Sequence, residues 1–132
     1  MDVQDASFFP DGHIVFSRQG FLYAAEQDGS SPRKIVSVEG VIRELSVSPD
    51  GQRLVFTIWS REPLVPMSIV ESMADGSGVQ PLVHSSETRR VCCAQWSPDG
   101  RYIIFRSRNE GRLDLWLLPM KDGFFQRVQQ PI

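Results

Sequence analysis

The sequence predicts an all-β fold built from three copies of one four-stranded antiparallel unit. Three Pro-Asp-Gly turns open the pattern, at Pro10-Asp11-Gly12, Pro49-Asp50-Gly51 and Pro98-Asp99-Gly100. A short strand-forming run that ends in Phe follows each turn, and a second Asp-Gly turn follows each run, at Asp28, Asp75 and Asp122. These second turns are 47 residues apart in both intervals, and a fixed period of this length is typical of repeat architectures. No segment carries a helical pattern of apolar residues.

The first strand of each unit alternates between apolar and polar residues. The matching apolar positions are Ala6, Leu45 and Ala94, and then Phe8, Val47 and Trp96. Such alternation is expected of a strand that buries one face. The strand ends at the Pro-Asp-Gly turn because Pro fixes its own φ, Asp bonds nearby backbone N–H groups, and Gly accepts the positive φ that closes the hairpin.

The other three strands follow in chain order. The second strand contains the Phe-terminated run, at residues 14–16, 54–56 and 103–105. The third, at 21–25, 68–72 and 114–118, ends at the Asp-Gly hairpin, and the fourth covers 32–38, 79–84 and 124–129. The chain 1–132 is therefore interpreted as one domain of three units, at about 3–38, 41–84 and 90–129, which we call blade 1, blade 2 and blade 3.

Four strands with a period in the forties are typical of a β-propeller blade. The segments Val47-Ser48-Pro49-Asp50-Gly51 and Trp96-Ser97-Pro98-Asp99-Gly100 resemble the S-P-D-G signature of TolB-type, WD-repeat-like propellers. Residues 74–78 and 114–119 resemble the third strand and outer turn of that family. Blade 1 departs from the pattern, since Phe9 stands where the signature has Ser. The resemblance covers residues 4–129, implies the fold and is unspecific for activity.

Three blades do not complete a propeller, because propellers have 4 to 8 blades. An arc of three leaves two apolar faces uncovered, which soluble monomers rarely tolerate. Two explanations stay open. The chain is part of a longer propeller with further blades, or it self-associates as a homodimer that forms a six-bladed ring, in which blade 3 of each copy packs on blade 1 of the other.

Composition excludes several classes of protein. The 132 residues are 41% hydrophobic and 23% charged, which is ordinary for a globular domain. Fourteen Lys and Arg against sixteen Asp and Glu give a net charge of −2, which argues against nucleic-acid binding. No apolar run approaches the roughly 20 residues of a membrane span. The first residues lack the pattern of a signal peptide, which favours the cytoplasm, whereas the resemblance to TolB allows the periplasm.

The sequence predicts a non-enzyme without cofactor or metal. It has no G-x-S-x-G elbow, H-E-x-x-H, Walker loop or G-x-G-x-x-G motif. His13 and His84 lie in different blades, and two histidines offer too few ligands for a metal site.

Cys92 and Cys93 lie in the first strand of blade 3. Because successive strand residues point to opposite faces, we expect the two thiols to diverge. One interpretation is that they fill tight space near the propeller axis. The alternative is a reactive thiol whose pKa is lowered by Arg89 and Arg90.

Arginines and aspartates are expected on opposite ends of the blades. The connections between second and third strands, and those between blades, share one end, which holds Arg18, Arg61, Arg89, Arg90, Arg106, Arg108 and Arg112. The turn aspartates share the other end. Since Arg makes bidentate contacts with carboxylates, the arginine end is predicted to bind an acidic peptide or protein; ordinary solvated charge is the alternative.

A long connection is predicted at residues 57–68 of blade 2. Its Trp59, Arg61 and Leu64 are of the types that dominate binding energy at interfaces, and two prolines lower the cost of ordering it. Alternatively, Trp59 caps the core of its own blade. The predicted function is a non-catalytic scaffold that presents residues 57–68 and 106–113 to a protein or peptide. Its candidate binding residues are Arg18, Trp59, Arg61, Leu64, Arg106, Arg108 and Arg112.

The resemblance implies a second possibility. Similar propellers form the gating portion of prolyl-oligopeptidase-type serine peptidases, whose catalytic domain would lie outside this chain. The nucleophile motif of such a domain is absent here.

Overall fold

The computed structural model describes residues 3–121, 124–125 and 130–131, which form three antiparallel sheets. Blade 1 contains β1 (Val3–Phe8), β2 (Ile14–Arg18), β3 (Phe21–Ala25) and β4 (Arg33–Ser37). Blade 2 contains β5 (Val41–Val47), β6 (Arg53–Trp59), β7 (Pro66–Met73) and β8 (Gln80–His84). Blade 3 contains β9 (Arg89–Trp96), β10 (Tyr102–Asn109), β11 (Arg112–Lys121), and the two-residue strands β12 (Phe124–Phe125) and β13 (Gln130–Pro131).

Each sheet is a meander in which consecutive strands are neighbours, and this confirms the predicted all-β class. The order is β1-β2-β3-β4 in blade 1 and β5-β6-β7-β8 in blade 2. In blade 3, β9, β10 and β11 are consecutive, and both β12 and β13 pair with β11. The turn predicted at Asp122-Gly123 and most of the fourth strand predicted at 124–129 lie outside the described residues. Within the described part of the chain, no helix is long and apolar enough to span a membrane.

The Ser-Pro-Asp-Gly turns are closed by side-chain hydrogen bonds. Ser48 Oγ donates to Asp50 Oδ1 at 2.6 Å and accepts from the backbone N–H of Arg53 at 3.0 Å. Ser97 makes the equivalent bond to Asp99 at 2.7 Å. These serine hydroxyls hold the pKa of Asp50 and Asp99 below the ordinary value, because they stabilise the carboxylate form.

The apolar core lies between the blades. One cluster joins Val15, Leu22 and Val36 of blade 1 to blade 2, whose β5 contributes Ile42 and Leu45. The other joins blade 2 to the first strand of blade 3, which contributes Val91, Ala94 and Trp96. In both clusters the first strand of a blade packs on the face of the preceding blade.

Hydrogen bonds connect the first strands to the preceding blades. The N–H of Leu45 donates to Asp5 Oδ2 at 2.6 Å, and the N–H of Trp96 donates to Ser46 Oγ at 3.4 Å. The N–H of Cys93 donates to the buried Thr57 Oγ1 at 3.3 Å. The strands β1, β5 and β9 therefore lie side by side. Because β10 and β11 follow β9 in the sheet of blade 3, these hydrogen bonds also fix their position relative to blade 2.

Candidate functional site

The connections at the arginine end of the blades are shorter than predicted. Strand β6 continues to Trp59, which pairs with Pro66 at the start of β7, so the connection is 60–65 instead of 57–68. In blade 3, only Glu110 and Gly111 separate β10 from β11, and both have positive φ, 50° and 82°, as a two-residue hairpin turn requires. The predicted loop at 106–113 is therefore wrong, because Arg106 and Arg108 lie within a strand.

Strand pairing brings three arginines together. Arg108 of β10 lies opposite Arg90 of β9 on one side and Leu113 of β11 on the other, and Arg106 lies opposite Cys92. Side chains of directly paired residues share one face of a sheet. These residues border a cleft of about 290 Å³ that blade 2 closes on its far side. We call it the arginine cleft; it is lined by Trp59, Pro66, Arg90, Cys92, Arg106, Arg108 and Leu113.

The arginine cleft carries three positive charges, and one carboxylate lies beside it, that of Glu44, whose Oε2 is 2.9 Å from Trp59 Nε1 and whose Oε1 is 3.5 Å from Cys93 Sγ. Among the described residues, none of Arg90, Arg106 and Arg108 forms an ion pair with a carboxylate; the ion pairs are elsewhere. Arg90 Nη1 lies 3.8 Å from Met67 Sδ, and Arg106 Nη2 lies 2.9 Å from the Sγ of Cys93. A concave surface of this kind concentrates anions from solution.

Trp59 forms a fixed wall of the cleft. Its Nε1–H donates to Glu44 Oε2 at 2.9 Å. The guanidinium carbon of Arg43 lies 5.3 Å from the centre of the Trp59 ring, which is cation–π distance. These two contacts hold a half-buried ring in place, and part of its surface lines the cleft.

Sequence reasoning missed Glu44. Its backbone has a φ of 52° in an irregularity of β5, where the register shifts between Arg43 and Ser46. Burial raises the pKa of the Glu44 carboxyl, because a low dielectric disfavours the charged form. The repeat could have indicated this residue, because Glu44 occupies the same position before its Pro-Asp-Gly turn as Asp5 and Cys93 do in the other two blades.

The prediction that Cys92 and Cys93 diverge is wrong, because the two residues form a disulfide. The cause is local: Cys93 has a φ of 68° at a register shift between β9 and β10, and a bulge breaks the alternation of side chains along a strand. The guanidinium group beside the sulfurs is that of Arg106, with Nη2 at 3.6 Å from Cys92 Sγ. In this oxidised state the sulfurs lack the thiolate form that binds metals.

The other predicted binding residues lie elsewhere. Arg18 stacks its guanidinium carbon 5.3 Å from the ring centre of Tyr23. Arg61 Nη2 donates to the carbonyl of Gly40 at 3.1 Å. Leu64 is exposed in the 60–65 connection, and Arg112 pairs with Asp114 at 3.2 Å. The structure thus brings together Trp59, Arg106 and Arg108 of the predicted set, and adds Pro66, Arg90, Cys92 and Leu113.

Comparison with solved structures places the blades in a known architecture. A protein described as a TolB from Agrobacterium tumefaciens matches 97% of this chain with a TM-score of 0.74 and 23% identity. The chain has a TolB-like β-propeller fold. TolB from Acinetobacter baumannii matches 96% of this propeller chain (TM-score 0.71, 20% identity), and the β-propeller domain of the Trilobed protease from Pyrococcus furiosus matches 98% (TM-score 0.67, 13% identity). No protein-family model matches the chain.

This propeller chain is shorter than the proteins it matches. It spans 45% of the Agrobacterium protein, 32% of the Acinetobacter protein and 42% of the Trilobed protease propeller. At these identities the likeness describes the fold and leaves activity open.

Proposed function

We propose that the chain is a non-catalytic binding module that holds an acidic peptide segment, or an acidic protein surface, in the arginine cleft. The observation that carries this proposal is the group of three guanidinium groups without carboxylate partners around one cleft. A guanidinium group makes paired, charge-assisted hydrogen bonds to a carboxylate. Arg90 and Arg108 would bind acidic side chains of the partner, while Trp59, Pro66 and Leu113 would contact its apolar groups.

The way in which the cleft is built favours binding. Arg90, Arg106, Arg108 and Leu113 belong to three neighbouring strands of one ladder, so their backbone is ordered before a partner arrives. Binding then costs little conformational entropy beyond the side chains themselves. Because Arg106 and Arg108 are exposed, salt should weaken the interaction.

The test is a titration with a defined peptide. A fluorescein-labelled peptide of alternating Glu and Leu is the probe, and the same peptide with Gln for Glu is its neutral counterpart. Arg90→Gln and Arg108→Gln should each weaken binding about tenfold, the size of one lost charge-assisted hydrogen bond of about 1.4 kcal/mol. Arg101→Gln is the matched control, since Arg101 is exposed, as Arg108 is, and directly precedes the opposite end of β10. The proposal fails if the neutral peptide binds as tightly, or if Arg101→Gln weakens binding as much as the cleft variants.

A second candidate function is the propeller portion of a serine peptidase. It is favoured by the likeness to the propeller domain of the Trilobed protease. In that case the catalytic groups would lie in another domain of the same polypeptide. Labelling of the full-length gene product by a fluorophosphonate, together with a G-x-S-x-G segment beyond this chain, would establish the peptidase; absence of labelling would favour the binding module.

A further inference from the structure

Among the described residues, nothing covers one apolar surface of blade 1. Ala6 and Phe8 of β1 are exposed, Phe8 to 64%. The equivalent residues of β9, Ala94 and Trp96, are 1% and 9% exposed because they pack on blade 2. The first strand of blade 1 therefore has the side chains of a strand that packs on a preceding blade.

Blade 3 carries the complementary surface. Strand pairing places Leu115 of β11 at the position that Leu22 holds in blade 1 and Ile69 holds in blade 2. Leu22 and Ile69 are 0% and 1% exposed, since the first strand of the next blade covers each of them, whereas Leu115 is 43% exposed. Leu115 thus marks the place where the first strand of a further blade would pack.

Charge distinguishes which strand fits there. Arg106 of β10 pairs with Leu115 of β11. The equivalent positions are occupied by Ser17 in blade 1 and by Thr57 in blade 2, and both of these side chains are buried. Thr57 receives its hydrogen bond from Cys93 of the following blade, and the repeat equivalent of Cys93 in blade 1 is Asp5. The donor in that bond is the backbone N–H of Cys93. A β1 strand placed on blade 3 as β9 is placed on blade 2 therefore brings the backbone of Asp5 beside Arg106, so that residues of opposite charge lie at neighbouring positions.

We propose that the open face of blade 3 binds strand β1 of a second copy of this chain, which closes a six-bladed ring. A two-fold axis then relates two identical interfaces, each pairing Arg106 with Asp5 of the other copy and packing Leu115 near Phe8 of the other copy. Six blades lie within the range that propellers use, and the two-fold operation closes the assembly without an open end. Such a ring covers the apolar faces of blades 1 and 3 that the described residues of one chain leave uncovered.

The ring uses Arg106 of the arginine cleft and leaves Arg90 and Arg108, the two arginines proposed to bind a partner, outside its ion pair. Arg108 and Leu113 occupy the positions of Trp59 and Pro66 in blade 2. Trp59 and Pro66 stay partly exposed although blade 3 covers their sheet. Arg108 and Leu113 would accordingly stay at the rim when a second copy covers blade 3.

Light scattering coupled to size exclusion over a dilution series tests the ring. The wild-type chain should give twice the 14.9 kDa of one chain. Phe8→Lys and Leu115→Glu should each give the mass of one chain with an unchanged circular dichroism spectrum, since both side chains are exposed in the single chain. Val79→Glu is the matched control, because Val79 is 44% exposed on blade 2, away from both open faces, and this variant should keep the mass of two chains.

A charge exchange tests the pairing itself. Arg106→Asp and Asp5→Arg should each give single chains, and the double variant should recover the mass of two chains, because it restores opposite charges across both interfaces. Asp5 also accepts a hydrogen bond from Leu45 within its own chain, so recovery by the double variant separates lost pairing from lost folding. A wild-type chain that stays single at every concentration, or two-chain mass that survives Phe8→Lys and Leu115→Glu, would overturn the ring.

Discussion

Replacement of Gly76 by Ala should destabilise the chain far more than the same change at Gly29. The two glycines occupy the same place in the Asp-Gly turns of blades 2 and 1, with φ of 90° and 85°. Left-handed backbone costs an L-residue about 1–2 kcal/mol, and this part of the penalty is common to both variants. Their surroundings differ.

The surroundings set the magnitude of the difference. A Cβ at Gly29 meets nothing within 4 Å, whereas a Cβ at Gly76 would lie 2.1 Å from the carbonyl oxygen of Ile35 in β4 of blade 1. Because that atom belongs to the backbone, one blade must shift, and overpacking of this kind costs about 1–3 kcal/mol. We expect Gly29→Ala to lower the free energy of unfolding by about 1–2 kcal/mol, and Gly76→Ala by about 2–5 kcal/mol.

Urea unfolding followed by tryptophan fluorescence measures both variants. The two proteins should be compared at one chain concentration, since self-association shifts apparent stability. The slope of the free energy against urea should stay constant, which identifies a change in stability rather than in the denatured state. Equal losses for the two variants would refute the reasoning, because they would mean that the blade 2 turn is not seated against blade 1.

Two further predictions concern a buried hydroxyl and an exposed histidine. Thr57→Val removes the acceptor of the Cys93 N–H and should lower the free energy of unfolding by about 1–3 kcal/mol. Thr88→Val makes the same change at an exposed site and should alter the urea midpoint little. Equal effects of the two substitutions would contradict the hydrogen bond between the blades. The hydrogen bond to Asp11 raises the pKa of His13 above the ordinary pKa of histidine. The contribution of protonated His13 to the free energy of unfolding is therefore complete below the ordinary pKa, and it is lost as the pH rises through the pKa of the folded state. Asp11→Asn should lower the pKa of His13 in an NMR titration, and an unchanged pKa would show that this contact does not form in solution.

The fold was predictable because its signals are local. Pro-Asp-Gly turns and alternating apolar residues act within a few positions of the chain, and three copies in register supplied the strand order. The arginine cleft depended on more distant contacts. Arg90 and Arg108 meet only because β10 continues to Asn109, and the disulfide forms only because a bulge turns the Cys93 backbone to positive φ. The bulges of β5 and β9 lie where Leu45 and Cys93 donate backbone hydrogen bonds to the preceding blade, and one sequence read alone does not contain that pairing.

The location of the apolar core between blades has a consequence for how the chain unfolds. Blade 2 contributes one face, including Leu54 and Phe56, to the first cluster and the opposite face, including Val55 and Ile69, to the second. Stability in such an array is a sum of weak intrinsic terms for each unit and strong terms for each nearest-neighbour contact. Within a single chain, loss of order in blade 2 therefore removes both contacts at once, whereas loss of order in blade 1 or blade 3 removes one. In a single chain, such as the Leu115→Glu variant should give, cooperativity is therefore concentrated in the middle repeat, and amide hydrogen exchange should be slowest there.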